Sequence, residues 1–196
     1  MPYADTIAAL KTKRREIDVL RAEMRELQGA IEPVPVADYE LTGWDGPVRL
    51  SQLFGDKRDL FVIHNMGTRC SYCTMWADGF NGVYEHLADR AGFVVSTPNP
   101  IATQQQFAKS RGWRFPMVSH EGSSFAKDMG YWQPKSEGRE SDMWWPGVSV
   151  FQKDGERILR VSDTDLGPHD DFCSVWHFLD LLPEQANRWE PKFRYG

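Results

Sequence analysis

The stretch Asp59–Cys73, "DLFVIHNMGTRCSYC", constrains the chain more than any other. Residues 59–66 form an apolar, β-branched run with no alternation, as a central strand covered on both faces requires. From Thr74 to Arg90 the period changes. Trp76, Phe80, Val83, Tyr84 and Leu87 recur every three or four residues, the spacing of a helix with one buried face. A buried strand running into a helix belongs to sheets with helices packed on both faces. In such sheets, sites form beyond the carboxyl ends of the central strands. Cys70 and Cys73 sit at such an end.

The rest of the chain agrees with that class. "DYELTG" and "PVRL" are strand-like pieces around the turn "GWDG", and "SQLFG" is a short helix ending in Gly55. "GFVVST" and "RFPMVS" are further strands, separated by the helix "ATQQQFAKSRG" and followed by the short helix "SSFAKDMG". Residues 131–145 carry no period and form a loop insertion; "GVSVFQ-KDG-ERILRVS" is a hairpin, and 170–183 a last amphipathic helix. The expected fold is α/β: a three-layer α/β/α sandwich with a mixed central sheet, preceded by a long N-terminal helix. The expected organisation is a helix over 1–32, a domain over 33–183 and a tail over 184–196, with "EPVPV" (32–36) ending the helix.

In the N-terminal helix, Leu10, Ile17, Met24 and Ile31 fall seven apart, with Leu20 and Leu27 between them and Lys13 interrupting the seam. That face packs on the parent domain or on a second copy, so residues 3–31 are a candidate homodimer contact. A net charge of −5 supplies no basic field for nucleic acid. The charged start lacks the apolar core of a signal peptide, and no run reaches membrane-spanning length. The expectation is a cytoplasmic protein with no membrane or nucleic-acid partner, its thiols reduced at rest.

The cysteine pair has three readings. As a redox dithiol, Cys70 is the attacking thiolate, its pKa lowered by the helix start and by a neighbouring cation, Arg69; Cys73, one turn further in, resolves. As half of a zinc site, the pair needs Cys173 and His177, four apart on the last helix, to complete a Cys₃His set of Cys70, Cys73, Cys173 and His177. As packing, both thiols are inert core residues. CxxC between a strand and its helix favours the first reading, which needs no metal and no cofactor. His86, His120 and His169 read as surface residues.

The segment "YELTGWDGPVRLSQLFGDKRDLFVIHNMGTRCSYC", with "FAKSRGWRFPMVSHEGSSFAKDMG" behind it, resembles the thioredoxin superfamily. Within it, the chain is similar to the peroxiredoxin-like and reductase-like branch. The leading charged helix, "WADGF" and "GWRFP" resemble a bacterial thioredoxin-like family catalogued only as a domain of unknown function. The resemblance implies a thiol–disulfide oxidoreductase acting on a protein or small-molecule disulfide, with a separate reductant. It places His64 where thioredoxins keep a buried acid, as proton acceptor for Cys73, and Pro146 where they keep a cis-proline. Tyr72, between the cysteines, and Trp145, beside Pro146, are the expected groove neighbours, with Arg69. Two departures count against a peroxidase: Gly67 replaces the threonine three residues before a peroxidatic cysteine, and Pro146 stands where peroxiredoxins keep an arginine. Ser71-Tyr72 replaces the thioredoxin Gly-Pro and leaves the direction of electron flow open. A non-catalytic binding or assembly protein is the reading from another class.

Overall fold

A computed structural model describes residues 2–136 and 141–196. Its elements are α1 (Tyr3–Gly29), β1 (Val34–Val36), β2 (Glu40–Gly43), β3 (Gly46–Arg49), a 3₁₀ turn (Leu50–Gln52), β4 (Asp59–His64) and α2 (Ser71–Arg90). Then follow β5 (Gly92–Thr97), α3 (Ile101–Arg111), β6 (Met117–Ser119), α4 (Phe125–Asp128), β7 (Trp132–Gln133), β8 (Met143–Trp144), β9 (Gly147–Asp154), β10 (Arg157–Asp165) and α5 (Ser174–Leu179). The chain divides into two units, one ending at Pro33 and one over Val34–Gly196.

In the second unit the long sheet runs β1-β10-β9-β4-β5-β6-β2-β3. It is mixed: β4 pairs parallel with β5 and antiparallel with β9, and β5 pairs parallel with β6. The apolar run at 59–64 is central because both its neighbours are strands and both its faces are covered. Side chains alternate across it. Ile63 packs beneath α2, α3 and α5 with Trp76, Phe80, Phe93, Phe115 and Trp176. Leu60 and Val62 pack on the opposite face with Leu50, Phe54, Phe125 and Phe151. This is the expected three-layer arrangement. Gly112 ends α3 at φ +68°, the left-handed cap that glycine adopts at little cost.

Some expectations change. The "EPVPV" segment does more than end a helix: β1 adds an edge strand to β10, pairing Val34 with Arg160. The helix after Cys70 starts at Ser71, one residue after the first cysteine, and includes Cys73. The insertion at 131–145 opens and closes on a short ladder, Trp132 opposite Trp144; its residues 137–140 lie outside the described residues. The last helix is shorter than 170–183, covering Ser174–Leu179. The tail is tied down, with Trp189 edge-on to Trp176 at 5.8 Å and Arg111 Nη1 donating to the Phe193 carbonyl at 2.7 Å.

The first unit is α1. None of its residues is buried: Leu10 and Ile17 are 45% exposed, Leu20 58%, Met24 63% and Leu27 72%.

Candidate active site

Backbone geometry creates the site. Between β4 and α2 the chain turns through Asn65–Cys70, and two asparagines hold that turn. Asn65 Oδ1 accepts the Gly67 N–H at 2.7 Å, and Asn99 Oδ1, beyond β5, accepts the Thr68 N–H at 2.8 Å. Gly67 sits at φ +95°, and a Cβ there would stand 2.2 Å from Asn99 Oδ1. Glycine is therefore required by conformation and by contact. The position where a peroxiredoxin keeps threonine belongs here to a clamped loop.

That loop delivers Cys70 as the N-cap of α2, half-buried, with its Sγ accepting the Cys73 N–H at 3.0 Å. A sulfur in this position satisfies one of the helix's orphan donors and meets the positive end of its dipole. Thr74 ties the turn further, its Oγ1 donating to the Cys70 carbonyl at 2.9 Å. Cys73 is buried, 2% exposed, and its Sγ accepts the Met66 N–H at 3.4 Å.

The two thiols differ in acidity. Cys70 is lowered to about 7, chiefly by a hydrogen bond from the Cys73 thiol; burial opposes this, and the N–H groups of Cys73 and Tyr72 assist it. Cys73 is pushed far up, first because its proton is engaged with Cys70, then by burial and by the Cys70 charge. The pair is one acidified thiol beside one whose proton is held. Arg69 is exposed and is not among the groups that lower Cys70.

Tyr72 joins the site. Its ring stacks on Trp176 at 6.1 Å and lies 6.3 Å from Trp76. Partial burial raises its hydroxyl pKa, with further contributions from the negative charges of Glu190 and Cys70, so tail and thiol both reach it. Pro146 is buried and precedes Gly147, which pairs with His64 at the end of β4 from which the cysteine loop departs. It holds the expected place, but no peptide bond among the described residues is cis, so the cis geometry is corrected. Trp145 is 42% exposed, its N–H donating to the Tyr131 carbonyl at 3.0 Å.

His64 does not join Cys73. It is one residue past Ile63 on β4, so its side chain takes the other face of the sheet. There its ring stacks on Tyr131 at 3.9 Å and on Phe125 at 5.4 Å, and Nε2 meets Ser149 Oγ at 2.9 Å. Burial holds it well below the usual histidine range, helped by His120 and Arg160. His120 is buried as well, 2% exposed, against the expectation of a surface residue. Its Nδ1 meets Ser96 Oγ at 2.8 Å, and burial lowers its pKa to about 4.

The zinc set does not assemble. Among the described residues no three His, Cys, Asp or Glu side chains converge on a metal position. Cys173 is buried in the core beneath α5, while His177 turns outward to Asp171 Oδ1 at 3.7 Å. A cleft of about 580 Å³ lies between α2, α5 and the tail; Phe80, Cys173 and Trp189 line it, and Cys70 and Cys73 do not. Sequence reasoning missed Asn65 and Asn99. "N-M-G" carries the signal of a side-chain turn closed on glycine, whereas Asn99 is 31 residues from the N–H it holds and leaves none.

A model of a family described as "Bacterial protein of unknown function (DUF899)" matches residues 4–193. Among curated proteins none matches. Solved structures do. Peroxidoxin BcpB from Mycobacterium tuberculosis is 25% identical, with a TM-score of 0.55 over 68% of this chain and 84% of its own. Peroxiredoxin Q from Xanthomonas campestris is 16% identical, with a TM-score of 0.55 over 64% of this chain and 78% of its own. A reduced peroxiredoxin from Vibrio vulnificus in complex with hydrogen peroxide is 11% identical, with a TM-score of 0.57 over 71% of this chain and 87% of its own. The fold is thioredoxin-like.

Proposed function

The chain belongs to the DUF899 family of bacterial proteins, and from that premise we propose that it is a thiol–disulfide oxidoreductase working through Cys70 and Cys73. The observation that carries this is the cap: a half-buried sulfur at a helix start accepting the Cys73 N–H at 3.0 Å, with the buried Cys73 thiol one turn further in. A thiolate so placed is populated at neutral pH and open to attack on a disulfide.

The Cys70 thiolate attacks one sulfur of a substrate disulfide. A Cys70–substrate disulfide forms, the substrate S–S bond breaks, and the departing thiolate takes up a proton. Cys70 has then lost the charge that held the Cys73 proton. Cys73 deprotonates, supported by the Met66 N–H, and attacks Cys70 Sγ; the substrate leaves as a second thiol and the Cys70–Cys73 disulfide remains. An external dithiol supplies the two electrons that reset it. The proton acceptor for Cys73 is the departing substrate thiolate or solvent, not His64, which lies on the other face. The partners are a protein or small-molecule disulfide and a reductant, in the cytoplasm; the reaction needs no cofactor. In this reading Tyr72, Pro146, Trp145 and the exposed Arg69 form the groove that receives the substrate.

A second reading is a thiol-dependent peroxidase. The peroxidoxin and peroxiredoxin structures named above favour it. In it Cys70 takes one oxygen from a hydroperoxide to become a sulfenic acid, releasing an alcohol or water, and Cys73 condenses with it to the disulfide and water. Gly67 and Pro146, in place of a threonine and an arginine, argue against it.

A Cys73→Ser variant tests the proposal. It traps mixed disulfides on Cys70, and alkylation of the wild type titrates near 7. A Cys70 that titrates at its ordinary value of about 8.5 and traps nothing excludes the redox function. Consumption of hydroperoxide faster than of disulfide replaces it with the second reading.

A further inference from the structure

We propose that α1 is the strand of a parallel two-stranded coiled coil with α1 of a second copy. The observation is an exposed apolar seam flanked by charges that complement themselves in one orientation only. Taking Leu10, Ile17 and Met24 as position a of a heptad within α1, Leu20 and Leu27 fall at d; Ile31, expected to continue the seam, lies past the helix end at Gly29. Each of these five side chains is at least 45% exposed. In the central heptad Ile17 at a stands with Leu20 at d, the combination that favours two strands.

The flanks choose the orientation. Position g carries Glu16 and Glu23, and position e carries Arg14 and Arg21. In a parallel pair, g of one helix faces e of the next heptad on the other, so Glu16 meets Arg21 of the second copy, twice by symmetry. Glu23 meets Gln28 in the same way, which adds a hydrogen bond and no repulsion. In an antiparallel pair, g faces g and e faces e, bringing glutamates against glutamates and arginines against arginines. Like charges at that spacing are unfavourable.

Lys13, at a d position, interrupts the seam without breaking it. Its ammonium bonds Glu16 Oε2 at 2.7 Å, one turn along the same helix, so its charge reaches the rim while its methylenes stay at the seam. Only about three heptads are continuous, so the association is modest and concentration-dependent.

The test uses the full chain. Sedimentation velocity at tens of micromolar protein and low salt gives twice the chain mass of 22.6 kDa. Replacing Ile17→Asp together with Leu20→Asp gives the monomer. Glu16→Arg alone weakens the dimer by about threefold to tenfold, and adding Arg21→Glu restores it. The charge variants keep good helix formers throughout, so they decide the matter even where the double aspartate variant melts α1. A monomeric wild type overturns the proposal, whatever else then covers the seam. So does a dimer that survives the double aspartate change, since another surface then forms it. Tightening by Glu16→Arg overturns it too, because that substitution relieves an antiparallel pair.

Discussion

The two faces of β4 treat titratable groups oppositely, one of them half-buried and the other fully buried. Toward α2, Cys70 keeps a negative charge near neutral pH. Toward Phe125, His64 is held neutral. Burial opposes charge on both sides, and the difference lies in donors. Cys70 receives a directed hydrogen bond from the Cys73 N–H at a helix start, and the neighbouring Cys73 thiol lowers it further. His64 finds one serine hydroxyl, two aromatic rings and the neighbouring His120, and its Nδ1 has no partner among the described residues. Desolvation is the common background, and local hydrogen-bond geometry decides the charge state.

The comparison breaks first at Cys73. In Cys73→Ala the thiol donor is gone, so the Cys70 alkylation midpoint rises from about 7 toward the ordinary value of about 8.5. Disulfide turnover also stops for want of a resolving thiol. A midpoint that stays near 7 would assign the acidity to the helix start alone. Next in size, Gly67→Ala forces a side chain into the left-handed region and against Asn99, with an expected loss of about 1–3 kcal/mol in chemical denaturation. An unchanged denaturation midpoint would show that the loop is not clamped as described.

A pH series separates the faces without mutation. Cys70 has a lowered folded-state pKa, so its contribution to stability is present above the unfolded-state value of about 8.5 and is lost as pH falls toward about 7. His64 and His120 are also lowered, but as bases. The unfolded chain protonates them below about 6.5 while the folded chain does not, so stability is lost as pH falls from there, for His120 down to about 4 and for His64 through its own lowered value. Urea titrations from about pH 8.5 down to about pH 4 resolve two declines, and above that range the raised Cys73 loses stability with rising pH instead; Cys70→Ala removes the upper decline and leaves the lower. A single decline in the wild type would merge the two regimes. The smallest effect is the most discriminating. His64→Asn lowers the denaturation midpoint and moves the Cys70 alkylation midpoint by less than about 0.3 units. A larger movement would couple the two faces.

What could be read from the sequence follows the same division. The run at 59–66, the helical period after Thr74 and the hairpin at 147–162 are local patterns; a strand forms over Asp59–His64, a helix from Ser71 that takes in the period, and the hairpin strands over Gly147–Asp154 and Arg157–Asp165. Cys70 and Cys73 were legible because their chemistry depends on spacing and on the strand-to-helix corner. His64 was misplaced because a resemblance fixes a position along the strand, while parity decides the face, and Ile63 already took the side beneath α2. His120 looked like a surface residue because its cover, Ser96 and the Trp144 ring at 4.8 Å, comes from distant segments. β1 was hidden because "PVPV" reads as a breaker until an antiparallel edge is available to receive it.

The sulfur cap at the start of α2 carries one more consequence. In the reduced protein Cys70 Sγ serves the Cys73 N–H as an anionic acceptor. Once the two sulfurs are joined, that acceptor is neutral, and the first turn of a 20-residue helix is held more weakly. Oxidation therefore loosens the segment that carries the dithiol. Amide exchange at the first residues of α2 would register the oxidation state of the protein directly, faster when oxidised and slower when reduced, with no substrate present.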